Sequence, residues 1–232
     1  MSARVTVVVP ALDEEGSVAA VVRAFRARPE VAAVVVVDNG SRDATAARAR
    51  EAGARVIAEA RRGYGAALRA GIGYACAQGA EVVALVEADG TFAAEDLPRL
   101  LGPLETHALV LGSRTAAMGG LLAAGNRLVA RIQSALWPRS GCRLSDVGCT
   151  YRALTRTAWQ ALAPGLTADG PELAPQMVCE AFRRGLRVSE VPVRYGSRTS
   201  GASKHTGSAG PVLRTALRML RAILAKRLER GA

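Results

Sequence analysis

Short apolar runs alternate with amphipathic stretches through the first half of the chain. Residues 4–9 and 31–37 are dominated by valine, and 81–86 forms a third apolar run. Such runs are typical of strands buried on both faces of a parallel sheet. The predicted strands cover 4–9, 31–37, 54–58, 81–86 and 109–111, and the predicted helices 17–27, 43–52 and 65–77. This alternation predicts an α/β fold, a doubly wound, mostly parallel sheet with helices on both faces.

The second half of the chain is less regular. Its pattern predicts helices over 119–136 and 172–184, strands over 149–154 and 186–193, and loops over 136–148 and 196–210. A basic amphipathic helix is predicted over 211–230. One face of this helix would carry Val212, Leu213, Ala216, Leu217, Leu220, Ile223 and Leu224. We therefore expect one domain over 1–207, followed by a C-terminal helix over 208–232.

The charge of the chain points to anionic partners. The formal net charge is +11 and the pI about 10.6, and from Arg183 onward there are twelve Lys or Arg against two acids. Nucleic acid, an anionic membrane surface and phosphorylated small molecules all fit such an excess. Only 4% of residues are aromatic, and no nucleic-acid-binding motif occurs, so we do not expect a nucleic acid partner.

The remaining bulk features predict a cytoplasmic protein. No run of about 18 apolar residues occurs, so no membrane span is expected, and we expect no secretory leader. The four cysteines, which are Cys76, Cys142, Cys149 and Cys179, form no C-x-x-C pair and predict reduced thiols.

Carboxylates follow three of the predicted strands. Asp13 and Glu14 follow the first, Asp38 the second, and Glu87 and Asp89 the strand over 81–86. Ligands of doubly wound sheets bind beyond the carboxyl ends of the strands. Glu87 and Asp89, one residue apart, are hard oxygen ligands that suit Mg²⁺ or Mn²⁺ carrying a diphosphate, although a solvated acidic turn has the same pattern. Asp38 suits a base or ribose contact, or an Asx turn before the next helix.

Two further segments carry phosphate-type chemistry. Gly63 and Gly65 flank Tyr64 at the start of a predicted helix, where the backbone could pass close to a nucleotide sugar. The full dinucleotide fingerprint fails, because Leu68 stands at its last position. The loop from Arg198 to Lys204 presents two cations that could close over phosphates, or it is simply a solvated basic loop.

Nine segments resemble one known family, and they occur in its order from about Val5 to Gly207. They are VVVPALDEE, VVVVDNGSRDAT, RRGYGAALRAGI, VEADGTF, LGSR, GNRL, SDVGCTYRALTR, EVPVRY and RTSGASKHTG. Together they resemble glycosyltransferase family 2, which has the GT-A fold, and most closely its dolichyl- and polyprenyl-phosphate sugar synthases.

The resemblance implies roles for individual positions. Pro10, Ala11, Asp13 and Glu14 resemble the first nucleotide-binding loop, and Asp38 the base-contacting aspartate. Glu87, Ala88 and Asp89 resemble the D-x-D motif that holds metal and diphosphate. The cations similar to groups contacting phosphate are Arg114 and Arg127 on the acceptor side, and Arg198 and Lys204 on the closing loop.

The sequence also departs from the family pattern. D-x-D becomes Glu87-Ala88-Asp89, which makes Asp89 the safer metal ligand. Asn39 replaces one acid of V-D-D-G-S. S-G-F-R becomes a stretch from Val147 to Arg152, which leaves the acceptor side open.

The resemblance implies metal-dependent, inverting sugar transfer from a nucleoside-diphosphate sugar to a polyprenyl phosphate, by a peripheral protein at the inner membrane face. A phosphate acceptor is already ionised, whereas a hydroxyl acceptor needs a base, for which Asp146 is the candidate. Alternatives are a soluble transferase with a small-molecule or natural-product acceptor, a nucleotidyltransferase, and a nucleic-acid-binding module. The basic C-terminal helix predicts either an anionic membrane surface or packing on the domain.

Overall fold

A seven-stranded sheet forms the centre of the computed structural model, which describes residues 5–117, 119–198 and 209–229. The strand order is β3-β2-β1-β4-β6-β5-β7. The strands are β1 (Val5–Ala11), β2 (Val31–Asp38), β3 (Arg55–Ala58), β4 (Val82–Leu85), β5 (Leu109–Ser113), β6 (Arg152–Thr155) and β7 (Val188–Pro192). The helices are α1 (Val18–Arg26), α2 (Thr45–Glu51), α3 (Tyr64–Ala77), α4 (Leu97–Leu101), α5 (Gly120–Leu136), α6 (Arg156–Leu162), α7 (Leu173–Arg183) and α8 (Ala209–Leu228).

The sheet is mostly parallel, as the sequence predicts. β1 pairs in parallel with β2 and β4, β2 with β3, and β5 with β7, whereas β6 is antiparallel to both β4 and β5. Successive residues of a strand face opposite sides of a sheet. Val8 and Val35 therefore pack on the layer of α3, α5, α6 and α7, and Val7 and Val36 pack on the layer of α1, α2 and α4. The expected helices on both faces are confirmed.

The predicted strand over 149–154 is shifted, because β6 begins only at Arg152. The Arg152 side chain is almost fully buried and donates to the carbonyl oxygens of Cys149, Val147 and Ala174. These bonds tie residues 147–149 to the Arg152 side chain, while the Tyr151 carbonyl oxygen still accepts the Gly112 N–H of β5 at 2.8 Å just before β6. Burial lowers the pKa of Arg152. The short helix α4 is a further element that the hydrophobic pattern did not indicate.

The C-terminal helix α8 packs on the domain, against α7 and α5. Ile223 is fully buried, and the nearly buried Lys226 ammonium pairs with Glu229 at 2.8 Å and with Glu180 at 3.8 Å. The single apolar face predicted for this helix is wrong, because Leu217 and Leu224 are exposed while Ile223 points inward. Val212 and Leu213 lie outside the side chains that the structure describes.

None of the helices in the described ranges is both long and apolar enough to cross a bilayer. The four cysteines are free thiols, as expected, with Cys149 and Cys179 buried and Cys76 and Cys142 half-buried.

Candidate active site

The carboxyl ends of β1, β2 and β4 open onto one cleft of about 530 Å³. These ends meet at one edge because the three strands are neighbours and parallel. The residues predicted from sequence that line this cleft are Pro10, Ala11, Glu14, Gly63, Glu87, Ala88, Asp89 and Arg198. The sequence motifs after β1 and β4 therefore do face a common space.

Asp13 and Glu14 form hydrogen bonds that connect the loop after β1 with the segment after β2. Asp13 adopts a left-handed backbone with φ of 55°, and its Oδ1 accepts the Arg42 N–H at 2.8 Å. The Glu14 N–H donates to Thr45 Oγ1 at 2.8 Å. Asp38 Oδ1 accepts the Ser41 N–H at 3.0 Å. Asp38 therefore has the local turn-capping role that the sequence allowed for it, and it is not among the residues that line the cleft.

Asn39, next to Asp38, is a residue whose role the sequence did not reveal. Its buried amide donates to the carbonyl oxygens of Glu59 and Arg61 at 2.9 and 2.8 Å, and its Oδ1 accepts the Gly63 N–H at 2.7 Å. An aspartate could make only the last of these bonds, since a carboxylate cannot donate. The acid lost from the family pattern is thus replaced by a side chain that fixes the cleft wall.

We expect Asn39→Asp to lower the free energy of unfolding by about 2 kcal/mol, because it buries a carboxylate against the carbonyl oxygens of Glu59 and Arg61. Urea denaturation measures this change. Asp38→Asn is the matched control, since its amide oxygen can still accept the Ser41 N–H, and it should cost less than about 1 kcal/mol. Equal losses in the two variants would contradict the clamp assigned to Asn39.

Gly63 lines the cleft, and the structure gives both Gly63 and Gly65 a packing reason to be glycine that the sequence did not show. A Cβ on Gly63 would collide with the carbonyl oxygen of Asp169, and one on Gly65 with that of Ala168. Gly63 also has φ of 137°, which favours glycine. The Asp169 carbonyl accepts the Gly65 N–H at 2.7 Å and so occupies the N-terminus of α3. The glycines are needed because another backbone segment passes there.

Asp89 is held from two sides at the end of β4. Its buried Oδ1 accepts the backbone N–H and the hydroxyl of Thr91 at 3.0 and 2.7 Å. Its Oδ2 lies 3.1 Å from Arg198 Nε, and Arg198 Nη1 lies 3.3 Å from Glu14 Oε1. One guanidinium therefore joins the ends of β1 and β4 across the cleft.

Among the carboxylates of the cleft, Glu87 has a strongly shifted pKa. Its burial, followed by the Asp89 carboxylate, raises the pKa of Glu87 to about 7, against the opposing effects of Arg114 and Arg198. When two carboxylates repel each other in this way, a cation bound close to both stabilises their ionised forms.

The donor set of Glu87 and Asp89 fits a divalent metal shared with a diphosphate. Mg²⁺ and Mn²⁺ take oxygen ligands, and Mg²⁺ in particular is bound through one or two carboxylates with water and phosphate oxygens as the rest. Across residues 5–117, 119–198 and 209–229, no cluster of three or more His, Cys, Asp or Glu side chains could hold an ion alone. The protein would thus supply only part of the coordination.

A fixed arginine, Arg114, lies near Glu87 and opposes the rise of its pKa, although it is not among the residues that line the cleft. Arg114 Nε and Nη2 donate to the two oxygens of the fully buried Asp146 at 2.8 and 2.9 Å. Asp146 also accepts from the backbone N–H groups of Arg114 and Gly148 and from Asn126 Nδ2. The Arg114 guanidinium lies 5.2 Å from the ring centre of Tyr195, within cation–π range. The ion pair raises the pKa of Arg114 despite its burial.

The loop that carries Asp146 is anchored by Glu190 of β7. The Glu190 carboxylate accepts the Ser145 N–H at 2.9 Å and the Asp146 N–H at 2.9 Å. Burial raises the pKa of Glu190. The position of Arg114 is therefore set by a chain of contacts that runs from β7 through this loop.

Comparison with known proteins identifies the family of the chain. The model of the family described as "Glycosyl transferase family 2" matches residues 6–160. An uncharacterized glycosyltransferase of Mycobacterium tuberculosis is 36% identical over 206 residues, which cover 88% of this chain and 90% of that protein. The chain belongs to glycosyltransferase family 2. Polyprenol monophosphomannose synthase of Mycolicibacterium smegmatis, at 30% identity, covers 88% of this chain and 82% of its own length.

The GT-A fold expected of family 2 is confirmed by a solved structure. Glucosyl-3-phosphoglycerate synthase from Mycobacterium tuberculosis, in complex with Mn²⁺, uridine diphosphate and phosphoglyceric acid, matches with a TM-score of 0.73 and 26% identity. The match covers 99% of this chain and 79% of that chain.

Two residues carried over from family 2, Arg127 and Lys204, and the base candidate Asp146 are not supported in the roles expected of them. Arg127 is exposed on α5, and it is the preceding Asn126 that faces Asp146. Lys204 lies outside the described residues. Asp146 is a poor base, because its contacts with Arg114 and Asn126 lower its pKa against the raising effect of burial. The geometry of Asp146 instead supports a role in positioning the Arg114 side chain.

Several site residues of this family 2 chain were not singled out from sequence. Asn126 and Glu190 lie inside the quoted segments GNRL and EVPVRY, so a motif marked their position but not their partner. Asp169 and Arg218 also line the cleft, and neither lies in a quoted segment. Only the packing of α7 and α8 brings them there.

Proposed function

We propose that this chain transfers a sugar, with inversion, from a nucleoside-diphosphate sugar to the phosphate of a polyprenyl lipid, with Mg²⁺ or Mn²⁺ as cofactor. The observation that carries this proposal is the cleft itself, where Glu87 and Asp89 face Arg198 on one side and lie near the fixed Arg114 on the other. The named relatives are a polyprenol monophosphomannose synthase and a synthase that was crystallised with Mn²⁺ and uridine diphosphate.

The donor side of the cleft suits a nucleoside diphosphate. Pro10, Ala11 and Asn39 line it between β1 and β2, and Asp38 directly precedes Asn39. Asp89, assisted by Glu87, would hold the metal, which when bound offsets the negative charge of the diphosphate. Arg198 would then move its guanidinium from Asp89 toward the diphosphate oxygens, because phosphate and carboxylate accept the same bidentate donors.

The acceptor side favours an acceptor that arrives already ionised. Arg114 is aligned by Asp146 and by the Tyr195 ring, and a rigid guanidinium is well suited to bind a phosphate. An oxygen of that phosphate attacks the anomeric carbon, and the bond from this carbon to the diphosphate oxygen breaks on the opposite face. The nucleoside diphosphate leaves with the bonding electrons, and no proton needs to be removed from the acceptor.

A small phosphorylated acceptor is the second candidate. The matching structure is a synthase with phosphoglyceric acid bound, and its acceptor also carries a phosphate. A hydroxyl acceptor requires a base, however, and the lowered pKa and five donor contacts of Asp146 disfavour it in that role. We therefore favour the lipid phosphate.

A membrane surface would supply such a lipid. Helix α8 leaves Leu217, Leu224 and Leu228 exposed, at spacings of seven and four residues, with exposed Arg214 and Arg221 on the same helix. Exposed leucines beside arginines suit the headgroup region of an anionic bilayer. We propose that α8 lies against the inner face of such a membrane.

One assay separates these candidates. The purified protein is incubated with Mn²⁺ and radiolabelled uridine- and guanosine-diphosphate sugars, with undecaprenyl phosphate in phosphatidylglycerol vesicles or with phosphoglycerate. We expect label in the lipid fraction, and flotation of the protein with the same vesicles. Label only in phosphoglycerate would overturn the lipid acceptor, and no transfer to either would overturn the proposed function.

A further inference from the structure

The C-terminal helix contributes an arginine to the cleft. Arg218 of α8 lines the same space as Asp89 and Arg198, although more than a hundred residues separate it from β4. Its side chain is 51% exposed and forms an ion pair with Glu172, which directly precedes α7. Helix α8 is thus part of the cleft wall as well as a packing element.

The position of the Arg218–Glu172 pair depends on a glycine. A Cβ on Gly170 would collide with the Glu172 carboxylate and come within 2.7 Å of Arg218 Nη2. The pair therefore lies directly over the backbone of Gly170, which lines the cleft together with Asp169 and Pro171. This placement holds the guanidinium at the cleft wall and keeps it from extending freely into solvent.

The other cations of the cleft wall have different tasks. Arg198 binds Glu14 and Asp89 on the donor side, and Arg62 packs at 3.4 Å over the position that a Gly40 Cβ would take, in the loop after β2. Arg218 reaches the cleft from α8, which packs on α5, the helix whose Asn126 binds Asp146. A guanidinium has five N–H donors, so Arg218 can keep Glu172 and still donate to a phosphate.

We propose that Arg218 binds the phosphate of the lipid acceptor as it passes from the membrane face of α8 into the cleft. This inference rests on the proposed function. Helix α8 then joins two tasks, since its exposed leucines and Arg221 face outward while Arg218, three residues from Arg221, faces the cleft. The chemistry recognised is a phosphate monoester attached to a hydrocarbon chain.

Steady-state kinetics with undecaprenyl phosphate in vesicles test this assignment. We expect Arg218→Ala to raise the acceptor KM about tenfold, the order of one lost charge-assisted contact, and to leave the KM of the nucleotide sugar unchanged. Arg48→Ala is the matched control, because Arg48 of α2 is likewise about half exposed (58%) and paired with a glutamate, Glu51, and it should leave the acceptor KM unchanged. Arg218→Lys keeps the charge without the fork and should give a smaller rise, which provides a measurement if the alanine variant folds poorly.

Each outcome of these kinetic measurements either supports or overturns the role assigned to Arg218. An unchanged acceptor KM in both Arg218 variants, or a rise confined to the nucleotide sugar, would overturn the assignment while transfer by the wild type still supports the proposed function. An equal rise in Arg48→Ala would also overturn it, because the effect would then be one of general surface charge. A wild type without transfer to lipid would instead remove the proposed function on which the inference rests.

Discussion

Asp89→Asn is expected to lower kcat/KM for sugar transfer by about 100-fold or more, which is the range for losing one preorganised electrostatic group. The variant keeps an oxygen to accept the Thr91 N–H and hydroxyl, so the turn after β4 should persist. It removes the charge that would bind the metal and that now pairs with Arg198. Calorimetry of uridine diphosphate should show that Mn²⁺ no longer strengthens its binding.

The control for this variant is Glu95→Gln, which removes a carboxylate that is 63% exposed and pairs with Arg194 at the surface. Its kcat/KM and its Mn²⁺-dependent binding should equal those of the wild type. Full turnover by Asp89→Asn, or Mn²⁺-assisted nucleotide binding that survives the change, would remove Asp89 from the metal site.

Local patterns were sufficient to predict the parallel strands β1, β2 and β4 and the carboxylates at the ends of β1 and β4 that line the cleft. Valine runs define strands buried on both faces, and a residue directly after a parallel strand must lie at its carboxyl edge. Glu14, Glu87 and Asp89 were therefore found from their positions alone. Topology carries this information, because β1 and β4 are neighbours in the sheet.

Contacts between distant segments could not be predicted in this way. The clamp of Asn39 depends on carbonyl groups at Glu59 and Arg61, and the crowding at Gly63 depends on a segment about a hundred residues later. The direction in which the side chains of α5 point was also not predictable. Arg127 and Asn126 are adjacent in sequence, but only Asn126 faces the site. Such details depend on how the helices pack and not on their periodicity.

The apolar face of α8 shows why a sequence pattern can name the element and still misjudge its surface. Helix α8 packs against α5 and α7 on the side that carries Ile223 and Lys226, which are three residues apart, while Leu217 and Leu224 stay exposed. Lys226 can be buried because its ammonium forms ion pairs with the carboxylates of Glu180 and Glu229.

Asp146→Asn is the substitution for which we expect the largest combined effect. The wild-type carboxylate is fully buried and receives five donor contacts, among them three from Arg114. In either orientation the amide NH₂ of the variant would face N–H donors, and the charge of Arg114 would lose its partner. Breaking a buried pair in this way costs about 3 kcal/mol of unfolding free energy, and a displaced Arg114 should lower kcat/KM about 100-fold.

The pH dependence of this stability difference has a defined sign. Arg114 and the other donors hold the pKa of Asp146 below its usual range. A group whose pKa is depressed by folding contributes stability that is fully present above the unfolded value of about 4 and is lost as the pH falls toward the folded value. The difference in unfolding free energy between wild type and Asp146→Asn should therefore be constant from pH 6 to about 8 and shrink below about pH 4.

Glu180→Gln separates the positioning role of Asp146 from its contribution to stability. Glu180 is also buried and is held by Arg183, Arg184 and Lys226, but it lies toward the end of α7 and does not line the cleft. It should cost a similar free energy of unfolding and leave kcat/KM unchanged, so that lost activity in Asp146→Asn alone reports on Arg114. If Asp146 acted as a base instead, its loss would lower kcat without raising the acceptor KM and would abolish the acidic limb of the pH–rate profile. Because Arg114 binds the acceptor phosphate in our proposal, we expect the acceptor KM to rise and that limb to remain.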